Sequence, residues 1–153
     1  MLRSDMLISL PLDLFIDYDD AAGVDCDQSA ADVGVFHVPF KCEVQRAQLV
    51  ITETCGGDTT TPVVDFDSRP TAGSDTSRGA ADIAHFVCST TAQGAVMYDE
   101  AGLGTVLEPG EEVVVQLTTA ATGTNKAGHF RPELLVKQIP ETKGNMTNLT
   151  ATT

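Results

Sequence analysis

Between Cys42 and Glu53, Ala47, Leu49 and Ile51 fall on one parity of the chain, with Gln48 and Thr52 on the other. A period of two sets such side chains on one face of an extended backbone, so the stretch predicts a half-buried β-strand. Shorter stretches read the same way at Met6–Leu10, Leu12–Tyr18, Val35–Val38, Pro62–Phe66, Ile83–Ser89, Ala95–Tyr98, Glu112–Thr118 and Leu134–Ile139. Between them lie turn-forming runs: Thr54-Cys55-Gly56-Gly57-Asp58, the long Ser68–Ala80 loop, and Ala101-Gly102-Leu103-Gly104. The run Glu108-Pro109-Gly110-Glu111 reads as a reversal, because Pro109 presets φ and Gly110 admits a positive value. It feeds the β-branched run Val113 to Leu117. After Gly123 and Gly128 the pattern resumes from Phe130 to Ile139, and Pro132, which cannot donate to a ladder, is expected near an edge or a strand start.

Eight or nine short strands at this spacing predict an all-β chain, an antiparallel β-sandwich with the jelly roll as leading candidate. A single helical turn is expected at Ser29–Asp32 or in Ser74–Gly79, where small and acidic residues can cap one. The expected organisation is one sandwich domain over 1–141, with 1–34 as N-terminal strands or arm, followed by an extended tail over 142–153. That tail has almost no apolar content beyond Met146 and Leu149, so burial within its own domain cannot order it.

Length fits a single domain: 153 residues bury enough surface for a core without a metal or disulfide staple. Charge narrows the partners. With 9 Lys and Arg against 22 Asp and Glu, the net −13 opposes nucleic-acid binding, which requires cations to neutralise phosphates. No apolar run approaches the about 20 residues of a membrane helix, and Arg3, Asp5, Pro11 and Asp13 interrupt the N-terminal apolar residues that a signal peptide would need. A chain made in a cytosol and remaining soluble there is expected, with neither membrane nor nucleic acid as partner.

Candidate chemistry is sparse. Cys26, Cys42, Cys55 and Cys88 form no CxxC pair and are expected to be reduced, with Cys42 and Cys88 as small buried hydrophobes inside strands. His37, His85 and His129 stand apart in sequence, and His85 is expected to be packed and hydrogen-bonded within its strand. The acidic runs at Asp17, Asp19 and Asp20 and at Asp25, Asp27 and Asp32 lack the ordered ligand spacing of a calcium loop. The sequons at Asn145 and Asn148 read as chance matches in a Thr/Asn-rich tail. No enzymatic activity, cofactor or metal is expected.

The succession VPFKCEVQRAQLVIT (Val38 to Thr52), VVDFDSRPTAGSDTSRGAADIA (Val63 to Ala84), LEPGEEVVVQLT (Leu107 to Thr118) and GHFRPELLVK (Gly128 to Lys137) resembles the jelly-roll decoration, or cement, proteins of tailed phages. The resemblance spans roughly Val35 to Ile139. It implies a structural virion protein, made in the host cytoplasm, that binds the outer surface of an icosahedral head and stabilises it. The implied partners are the major capsid protein and further copies of the chain, a homotrimer in preference to a dimer. Arms that add a strand to a neighbour's sheet would be Met1–Ser9 and Thr142–Thr153, with Met146 and Leu149 as the tail's apolar anchors. Arg69 and Arg78 in the long loop are candidate interface residues, since a guanidinium forks onto a neighbour's carboxylate, and a local pair with Asp67 or Asp75 is the alternative. The rival function is a head-fibre or host-surface carbohydrate-binding sandwich, against which stand the absence of Trp and an aromatic content of 5%.

Overall fold

A computed structural model describes residues 6–16, 22–73 and 82–140, and these contain strands and no helix. In chain order the strands are β1 (Leu7–Ser9), β2 (Leu12–Leu14), β3 (Val24–Asp25), β4 (Ala31–His37), β5 (Cys42–Gly56), β6 (Val63–Arg69), β7 (Ala84–Val87), β8 (Val96–Asp99), β9 (Val106–Leu107), β10 (Glu112–Thr119) and β11 (Ala127–Gln138). Their pairings are antiparallel. One sheet runs β1-β11-β5-β8, with β3 also on β11 and β9 also on β5; the other runs β2-β4-β10-β6-β7. The two form a β-sandwich.

Strands β5 and β11 make the spine of the first sheet, and their sequences show why they sit there. β11 alternates strictly, with Gly128, Phe130, Pro132, Leu134 and Val136 buried. On β5 the buried set is Cys42 and Val44, then Ala47, Leu49 and Ile51, then Cys55. The change of parity after Val44 has a cause in the register: Leu135 opposes Arg46 while Val136 opposes Val44, so Gln45 is an extra residue, a bulge that turns the following side chains over.

Two expectations are corrected by this arrangement. Pro132 lies inside β11, not at its start. Opposite Leu49 it borders β5 on one side, while the other side of β11 is shared by β3 at His129 and Phe130 and by β1 at Leu135 to Lys137. The proline thus occupies the gap between two short partners, where a missing amide interrupts no ladder. A helical turn at Ser29–Asp32 does not form, because Ala31 and Asp32 begin β4, and Asp32 opposes Gln116 of β10. The alternative at Ser74–Gly79 lies outside the described residues. The reversal before β10 is present: Glu111 N donates to Glu108 O at 3.1 Å, and Gly110 takes φ 87°.

The core is the space between the sheets. Phe36, Phe66 and Phe86 come from β4, β6 and β7, with ring centroids 5.5 Å apart in both Phe36–Phe66 and Phe66–Phe86. Leu49, Ile51, Phe130 and Leu134 of the first sheet are buried in the same cluster. At one corner Leu7 opposes Lys137, so the chain enters β1 and leaves β11 at neighbouring points.

Candidate functional site

Five strands end the sheets, and they form two flanks. The first sheet ends at β8 and β9, and the second at β7. These strands lie side by side, since His85 N of β7 donates to Asp99 Oδ2 of β8 at 2.7 Å, and Gly102 N donates to Ile83 O at 3.0 Å. On the opposite flank are β1 and β2.

The exposed large apolar side chains of the described residues gather on these flanks. Val87, Val96, Tyr98, Leu103 and Val106 lie on or between β7, β8 and β9, with Tyr98 58% exposed. Met6, Leu7 and Phe15 lie on or beside β1 and β2. Single exposed apolar residues are ordinary, but a set confined to edge strands coincides with the backbone amides and carbonyls that lack a ladder partner. Period-two alternation explains part of it: on β8, Met97 is half-buried toward the core, which turns Val96 and Tyr98 outward. Arg46 sets its guanidinium 4.7 Å from the Tyr98 ring centroid, which holds the ring against the rim of the sheet.

The basic residues singled out in the sequence are placed as follows. Arg69 ends β6, and its Nη2 lies 3.1 Å from Asp32 Oδ2, while Gln116 Nε2 holds the other oxygen of Asp32 at 2.7 Å. Among the described residues its carboxylate partner is therefore Asp32 of the same chain and not Asp67, and Asp75 lies outside them. Arg78, Met146 and Leu149 lie outside the described residues. So do Asp17, Asp19 and Asp20, and so do Met1 to Asp5 of the N-terminal arm. Leu7–Ser9, the remainder of that arm, belongs to the chain's own first sheet through β11.

Each histidine pairs with a carboxylate on a neighbouring strand. His85 Nδ1 is 2.6 Å from Asp65, His37 Nδ1 is 3.9 Å from Glu112, and His129 Nδ1 meets Glu53. His85 is hydrogen-bonded as expected, but its side chain is 54% exposed, which corrects the reading of a packed imidazole. Asp25 and Asp27 adjoin, with Asp27 N donating to Asp25 Oδ1 at 2.8 Å, whereas Asp32 is taken up by Arg69. Burial raises the Asp25 carboxyl above its ordinary value, and the Lys126 ammonium at 3.1 Å lowers that of Asp27. No group of three His, Cys, Asp or Glu suited to a metal ion occurs among the described residues.

All four cysteines were expected to be free, and Cys42 and Cys88 to be buried; all four are both free and buried. Sequence spacing gave no sign that three of them meet. Cys26 follows β3, Cys55 lies in β5 and Cys88 follows β7, so the cluster draws on both sheets. Cys26 Sγ is 3.9 Å from Cys55 Sγ, and Cys88 is buried in the same core cluster near enough to influence Cys55. The neighbouring Cys26 thiol holds Cys55 below the ordinary thiol value, and the interaction with Cys55 together with burial holds Cys26 and Cys88 above theirs.

No family model, curated protein or solved structure matches the chain.

Cys42, apart from this cluster, carries a pH prediction. Burial pushes its thiol up from 9.0 to about 11. The folded chain keeps that proton where the unfolded chain releases it, so the contribution is intact below pH 9 and is lost as pH rises from about 9 to 11. Two pKa units correspond to a loss of roughly 2 to 3 kcal/mol. In urea unfolding at pH 8 and pH 11, Cys42→Ala is expected to lose less stability over that interval than the parent chain. An equal loss in both would remove Cys42 as the cause.

Proposed function

We propose that the chain is a structural virion protein, a decoration protein that binds the outside of a tailed-phage head and cements it. The observation that carries this reading is the gathering of the described residues' exposed large apolar side chains on the edge strands and the segments beside them, with Val96 and Tyr98 on β8 facing outward beside an open ladder. An edge of that kind gains main-chain hydrogen bonds and apolar burial together when a partner strand is laid on it. The order of the principal strands, β1-β11-β5-β8 over β4-β10-β6-β7, supports reading the sandwich as a jelly roll, as in the proteins the sequence resembles. The net charge of −13 keeps such a protein off the packaged genome, and many symmetric copies add weak contacts as avidity. A homotrimer is the proposed assembly, and the major capsid protein the proposed partner. A sugar platform would call for neighbouring exposed rings, whereas Phe15 and Tyr98 stand on opposite flanks.

The test is co-sedimentation of the purified chain with undecorated heads, together with the rupture temperature of those heads. The parent chain is expected to bind and to raise the rupture temperature. Val96→Asp with Tyr98→Asp, which leaves the core untouched, is expected to weaken binding at least tenfold. Failure of the parent chain to bind heads would end the proposal, and undiminished binding by the double variant would remove the β8 edge from it.

A further inference from the structure

The thiol cluster has a geometry that the proposed assembly role does not use. Cys26 and Cys55 lie on either side of Gly128. Cys26 N donates to Gly128 O at 2.8 Å, and a Cβ placed on Gly128 would stand 3.1 Å from Cys55 Sγ and 3.3 Å from Cys26 Sγ. A glycine at φ +122° therefore leaves open the space in which the two sulfurs face each other, 3.9 Å apart. Cys88, which follows β7 of the other sheet, is buried in the same core cluster. Cys26 and Cys55 are 0% and 2% exposed, so bulky oxidants are excluded, whereas a hydroperoxide as small as hydrogen peroxide enters when the corner opens locally.

We propose that Cys26 and Cys55 are a peroxide-oxidisable dithiol that closes to a disulfide within the native fold. The Cys55 thiolate attacks one peroxide oxygen, the O–O bond breaks, and the departing hydroxide takes a proton to become water, leaving a sulfenic acid on Cys55. Cys26 sulfur then attacks the Cys55 sulfur. The S–S bond forms as the S–O bond breaks, and the second hydroxide leaves with the Cys26 proton as water. Two thiols lose two electrons and two protons in all, and one peroxide becomes two waters. Cys55 is the sulfur oxidised first because the Cys26 thiol 3.9 Å away stabilises its thiolate. The bridge would close a loop between residues 29 apart, tying the turn after β3 to the central β5.

The experiment treats the native full-length chain with hydrogen peroxide, then denatures it in acid, labels free thiols and maps the peptides. Labelling is expected to fall from four thiols to two, with Cys26 joined to Cys55 and Cys42 still free. The oxidised chain should melt roughly 5 to 10 °C higher, and dithiothreitol should return it to the starting value. Four free thiols after exhaustive treatment would overturn the proposal, as would a Cys55–Cys88 bridge or sulfinic acid in place of a bridge. An oxidised chain that melts no higher than the reduced one would show that the bridge does not fit the native backbone. None of these readouts involves phage heads, so their failure is separate from failure of the assembly role.

Discussion

Phe66→Ala is expected to destabilise the fold by about 4 kcal/mol, the upper part of the range for aromatic truncation in a core. Phe66 is fully buried and stands between two other rings, each with its centroid 5.5 Å away, so truncation opens a cavity and removes two ring contacts together. Its neighbours cannot close the gap readily, since Phe36 and Phe86 are fixed on β4 and β7 of the same sheet. In a chain of this size the loss corresponds to a melting temperature lower by roughly 10 °C or more. Phe66→Leu, which retains most of the volume, should cost less than half as much. Equilibrium urea unfolding measures both, and a loss under about 1.5 kcal/mol for the alanine variant would mean that the aromatic cluster is not the keystone of the sandwich.

Gly128→Ala should cost about 3 kcal/mol or more, from two sources. The backbone at φ +122° is one that side-chain-bearing residues rarely adopt, and the added methyl would lie 2.8 Å from Cys55 Cα. Gly94→Ala is the control. It shares a positive φ, 84°, but has nothing within 4 Å of the added carbon, so its cost should stay near 1 kcal/mol. Comparable losses at the two positions would refute crowding against the thiols as the reason for glycine at 128. The variant should also label faster at Cys26 and Cys55 under native conditions, because the methyl forces apart the groups that shield them.

Much of the sandwich was legible in the chain because burial on one face writes a period of two. Glu112–Thr118 and Cys42–Glu53 were predicted within a few residues of β10 and β5. The two-residue strands β3 and β9 were not, since Val24–Asp25 and Val106–Leu107 are too short to show any period and exist only because β11 and β5 offer a free side. Pro132 was misjudged for a related reason: a proline reports a missing donor, but not that the neighbouring strand is broken at that point. The apolar flanks follow from knowing which strands are edges, a property of pairing order that no local pattern encodes. The meeting of Cys26, Cys55 and Cys88 depends on three separate pairings and left no trace in their spacing. Asp32 as the partner of Arg69 became visible only when β4 and β6 were both found against β10.

The position of β11 has a consequence for the newborn chain. It lies between β1 and β5, yet it is synthesised after every other described strand, so until it emerges the first sheet lacks its central member. Until β11 arrives, β5 exposes one whole side of a fifteen-residue strand, and β1 and β3 have no first-sheet partner at all. The first sheet is therefore completed only when the last described strand inserts between β1 and β5. Until then the open side of β5 is an unpaired edge that another strand could pair with.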